Sequence, residues 1–102
     1  GLTDFDRAAA DYYSDPSMAS IAYDDLGYTY EQAANKEKAR LSYEKALNAD
    51  QDNAAAYCHY GRFLAKDNQA SDKDKMKAVG QKYLTLEPKG DCAADMQRLV
   101  SP

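Results

Sequence analysis

The sequence predicts an all-α protein made of helical hairpins, and three observations carry that expectation. The 102 residues are 44% hydrophobic and 29% charged with only 5 Gly and 3 Pro, a composition of globular helical chains rather than of disordered or low-complexity ones. Apolar residues recur at spacings of three and four, the period of one helix face. Finally, Tyr23, Leu26, Gly27 and Tyr30 are matched by Tyr57, Tyr60, Gly61 and Leu64, each pair 34 positions apart. An internal repeat of that length marks stacked units that each bury a face against the next.

The elements follow in chain order. Phe5 to Tyr13 reads as a helix within 2–15, cut short by Asp15-Pro16. In the unit 20–53, Tyr23, Leu26, Gly27, Tyr30 and Ala34 form one helical stripe and Ala39, Tyr43, Ala46 and Leu47 a second, joined by a short polar turn around Asn35 to Lys38. The unit 54–89 keeps Tyr57 and Gly61 and closes on Leu84-Thr85-Leu86-Glu87-Pro88, but Ala46-Leu47 answers to Tyr83-Leu84, an offset of 37. About three extra residues therefore belong to the polar stretch Lys66 to Lys75, expected as a loop with an enlarged turn. A last helix at 91–100 is capped by Asp91, with Cys92, Met96, Leu99 and Val100 on its apolar side. Glycine in a helix costs about 1 kcal/mol against alanine, so Gly27 and Gly61 predict close approach of the paired helix.

These residues resemble the tetratricopeptide repeat (TPR) family, whose pattern is an aromatic, then Leu-Gly three residues on, then Tyr, followed by a second helix with Ala and an aromatic four later. Tyr23 to Tyr30 fits the first helix and Ala39 to Tyr43 the second, so 20–53 is close to a complete repeat; Gln51 stands where the usual Pro would fall. The resemblance implies an α-α superhelix, a right-handed solenoid in which 2–15 is the second helix of a truncated preceding repeat. At Ala94 and Gln97-Arg98 the signature is absent, so 91–100 is expected to be the polar-faced cap that solenoids require. It further implies a concave groove lined by Ile21, Asp24, Tyr28 and Glu31 and, one period on, by Ala55, Cys58, Arg62 and Ala65.

Charge and chemistry narrow the function. A net charge of -4 lacks the basic field that phosphate backbones or anionic lipids attract, which disfavours nucleic acid and membrane surfaces. No apolar run approaches the ~18 residues a membrane span needs. Catalysis has little footing: Cys58 and His59 are consecutive and point about 100° apart on a helix, and His59 is the sole histidine. No cofactor or metal set is expected. Six of the nine tyrosines, Tyr23, Tyr30, Tyr43, Tyr57, Tyr60 and Tyr83, fall on packing faces, whereas Tyr28 lies off the stripe. Cys58 and Cys92 are expected as partly buried free thiols, a disulfide between them being the alternative.

The expected role is thus a non-catalytic scaffold for a protein or peptide. Acidic chaperone tails, which some TPR domains hold with Lys and Asn, are disfavoured by Asp24 and Glu31; a neutral, basic or apolar peptide suits the groove better. Tyr28 and Arg62 are of the types enriched among interface hot spots. Two other readings stand beside this one. Tyr60-Gly61-Arg62-Phe63-Leu64 is similar to a run in pilus-biogenesis TPR lipoproteins of the bacterial envelope, and truncated repeat ends favour self-association. The chain opens at Gly1 rather than Met, the expectation for a processed or excised start, so its compartment is not legible.

Overall fold

The structure, a computed structural model, describes residues 15–101; the helix expected at 2–15 lies, but for Asp15, outside them. The described residues form α1 (Pro16–Gln32), α2 (Lys36–Ala49), α3 (Ala54–Asp67), a 3-10 turn (Ala70–Asp72), α4 (Lys73–Leu86) and α5 (Ala93–Val100), with no strand among them. They fall into two compact units that divide between Ala56 and Tyr57. The fold is all-helical, as composition and periodicity predict.

In the first unit, Asp15-Pro16 starts a helix. The Asp15 carboxylate accepts from the Ser17 N–H at 2.8 Å, and Pro16 occupies the first helical position, where a missing N–H costs nothing. α1 therefore begins four residues before Ser20. It ends with Ala34 in the left-handed region (φ 61) while the Asn35 N–H reaches the Tyr30 carbonyl at 2.9 Å and the Ala34 N–H the Glu31 carbonyl at 3.0 Å. This is a Schellman termination built on alanine in place of glycine. The turn expected at Asn35 to Lys38 is shorter than that, because Asn35 caps α2 by accepting from the Lys38 N–H at 3.2 Å and residues 36–38 are already helical.

α1 and α2 pair closely. A β-carbon on Gly27 would lie 2.7 Å from the Tyr43 ring, which explains glycine at that position. Leu26, Tyr30, Ala39, Tyr43 and Ala46 are buried, and the Lys38 and Lys45 ammonium groups lie 5.6 and 5.5 Å from the Tyr30 and Tyr23 ring centres. Buried Ser20 donates to the Ala46 carbonyl at 2.6 Å and accepts from the Asn53 side-chain amide at 2.9 Å. Asn53 also accepts from the Ala56 N–H at 3.3 Å, and Asp50 from the Asp52 N–H at 2.9 Å. The turn that carries Gln51 is thus held by side chains on both sides, without proline.

The second unit corrects four expectations. α3 runs to Asp67 and α4 starts at Lys73, so most of Lys66 to Lys75 is helix or 3-10 turn and the enlarged loop shrinks to Asn68 and Gln69. The offset itself is seen at both ends of the second helix, since 73 - 36 and 86 - 49 each give 37. α5 begins at Ala93 after Cys92, with Asp91 outside its cap. A β-carbon on Gly61 would meet first the Met96 side chain of α5, at 2.8 Å, rather than α4, while one on Gly80 of α4 would meet the Met96 carbonyl at 2.9 Å. Helix α5 is therefore docked against two glycines, one on α3 and one on α4, with Met96 fully buried.

The fourth correction concerns the thiols. Cys58 and Cys92 are joined by a disulfide with Cα atoms 5.9 Å apart, and both are buried. Tyr83 reinforces the junction, its hydroxyl accepting from the Cys92 N–H at 3.1 Å. The expectation of free thiols failed because sequence spacing gives no view of which helix α5 docks on.

Candidate partner-binding face

Each unit contributes its own part of the expected groove stripes, and the residues fare differently. In the first unit Ile21 and Tyr28 are each 56% exposed, as their placement off the packing stripe predicts. Asp24 is buried, only 6% exposed, and so does not offer its carboxylate to solvent. Its place on the helix lies between the solvent side and the Leu26 side, and packing claims it. Glu31 is half-buried and accepts from the Tyr43 hydroxyl at 2.7 Å. Burial first, then that carboxylate, pushes the Tyr43 phenol far above its ordinary range, so it remains a donor. Glu31 is accordingly committed to the α1–α2 pair. Ala55 is exposed at the start of α3.

Met18 completes what the expected stripe lacked. It is 49% exposed and, with Ile21, Asp25 and Tyr28, falls within roughly 80° of the α1 circumference at 3.6 residues per turn. A repeat unit counted from Ser20 leaves it out; the Asp15 cap and Pro16 are the signal that includes it. The result is a line of large apolar side chains along one side of α1. Lone exposed apolar residues are ordinary; here three share one line.

In the second unit Arg62 and Ala65 are exposed and Cys58 is buried in its disulfide. Arg62 donates to Asp95 at 3.0 Å, and Arg98 donates to the other oxygen of the same carboxylate at 3.0 Å. Asp95 thus bridges two guanidinium groups at the surface, an arrangement worth at most about 1 kcal/mol per exposed pair. Bonded in the disulfide, the Cys58 sulfur carries no thiolate.

Among the described residues no group of three or more His, Cys, Asp or Glu could hold a metal ion, and no helix is long and apolar enough to cross a membrane. Comparison with protein-family models finds no match to the chain, and comparison with curated proteins finds none either.

Proposed function

We propose that the chain is a non-catalytic protein-binding module of the TPR kind, which takes a segment of a partner protein on the exposed side of its first hairpin. The observation that carries this reading is the line of Met18, Ile21 and Tyr28 along α1, about half exposed at each position. Asp25 on the same side and Glu31 beside it favour a basic or apolar segment over an acidic one. The 34-residue offset of Tyr23, Leu26, Gly27 and Tyr30, and the close helix pair at Gly27, support the repeat assignment.

The test is crosslinking followed by affinity. A photoreactive residue at position 28 identifies the partner, and binding is then measured for Tyr28→Ala, Ile21→Ser and the exposed turn variant Lys89→Glu. Losses of 1 kcal/mol or more are expected for the first two, on the order of an interface hot spot, with none for the third. Equal binding by all would place the partner elsewhere. If the crosslinked partner is a second copy of the chain, the self-association reading prevails.

The disulfide favours one refinement, assembly work in an oxidising compartment such as the bacterial envelope. Disulfides persist there and are rare in reducing cytosol.

A further inference from the structure

We propose that a second site, in the basin enclosed by the end of α3, the start of α4 and the end of α5, binds an acidic and partly apolar internal segment of a partner protein. It rests on the reading of the chain as a protein-binding module, but it uses none of the α1 residues. The basin is open and has a volume of about 520 Å³. Its wall carries the cations Lys73, Lys77 and Arg98 together with the Asn68 amide, and Met76 and Leu99 supply the apolar lining. Every one of these residues belongs to the second unit.

Charge argues for the ligand's sign. The chain as a whole carries -4, yet this basin gathers three cations and no carboxylate in its lining. Lys73 stands in the first turn of α4, where the helix dipole disfavours a cation, and Lys77 follows one turn on. Among the described residues neither of these lysines takes part in an ion pair. Arg98 spends one nitrogen on Asp95 and keeps further donors, because a guanidinium has five N–H groups. A segment bearing side-chain carboxylates would meet all three cations at once.

The apolar lining argues for the ligand's kind. Met76 is buried to 6% exposure and Leu99 is half-buried, so the basin offers hydrocarbon beneath its charged rim. A bare inorganic anion leaves that hydrocarbon uncovered, whereas a peptide alternating acidic and aliphatic residues covers both. The volume lies within the range of sites that hold compact ligands, and the open mouth admits a chain that continues past the site on either side.

The experiment uses the full disulfide-bonded chain and a dye-labelled hexapeptide of alternating glutamate and leucine, blocked at both ends, followed by fluorescence anisotropy. Saturable binding is expected, weakened at least tenfold by the double variant Lys73→Glu, Lys77→Glu and severalfold by Arg98→Glu, and weakened by added salt as exposed charges are screened. The same peptide with glutamine for glutamate should bind poorly. Tyr28→Ala should leave binding unchanged, which separates this site from the α1 face. All three basin positions are exposed, and circular dichroism checks that the variants remain folded. Absence of saturable binding, equal affinity in the charge-reversed variants, or displacement by inorganic phosphate at concentrations near that of the peptide would each overturn the proposal.

Discussion

Ala34 holds a backbone angle that most side chains avoid. Its φ of 61 puts the β-carbon against the following carbonyl, a cost of roughly 1–2 kcal/mol that glycine does not bear. The Ala34→Gly substitution also loosens the unfolded chain, which offsets part of the gain. Net stabilisation of about 0.5–1 kcal/mol is expected, read as a raised denaturant midpoint with unchanged slope. Tyr43 makes a second residue-scale prediction. Its phenol is held protonated in the fold by burial and by Glu31, while the unfolded phenol titrates near 10. Below pH 10 both states keep the proton and Tyr43 adds no pH dependence. Above it the folded state binds more protons than the unfolded, so stability falls by up to about 1.4 kcal/mol per pH unit. Alkaline unfolding followed from pH 9 to 11 should show this slope, and Tyr43→Phe should remove it at a cost of about 1 kcal/mol for the lost hydrogen bond.

At the scale of the element, glycine decides how closely helices pair. On Gly80 an added β-carbon would meet backbone, the Met96 carbonyl at 2.9 Å, which cannot rotate away. On Gly61 it would meet the flexible end of the Met96 side chain at 2.8 Å. Gly80→Ala is therefore expected to destabilise by ~1–3 kcal/mol through overpacking, despite alanine's better helix propensity, and Gly61→Ala by less. Thermal melts of the two variants rank them; the reverse order would mean that α5 shifts as a body and the side-chain contact is the stiffer one. The pairing of α1 with α2 was legible in advance because Tyr23, Tyr30, Ala39 and Tyr43 repeat at helical spacing on both helices of the hairpin. Tyr30, Tyr43, Tyr57, Tyr60 and Tyr83 are buried as expected, and Tyr23 is half-covered. Element ends were less legible. Asp15-Pro16 and Lys66 to Lys75 are polar stretches whose composition suits a loop and a helix terminus equally, and only the hydrogen bond made by Asp15 or the helical backbone from Lys73 separates the two. Asp24 shows the same limit within the candidate site, since a residue at the border of a helix face is assigned by its neighbours and not by its period.

For the molecule as a whole, the covalent link between Cys58 and Cys92 is the feature the sequence least revealed. Closing a loop of 34 residues restricts the unfolded chain by roughly 3–4 kcal/mol in the chain-entropy account. Reduction should therefore lower the melting temperature by more than about 10 °C, against the expectation of free thiols, which predicts little change. An unchanged melt under reducing agent would show that Met96 and the two glycines suffice to hold α5. The link also governs how a load passes through the protein. Tension applied to the segment after Cys92 crosses the sulfur bridge directly into α3 at Cys58, bypassing α4 and the turns on either side of it. The bypassed residues 59–91, about 110–120 Å of extended chain, would be missing from the length released on stretching and would return when the bridge is cut.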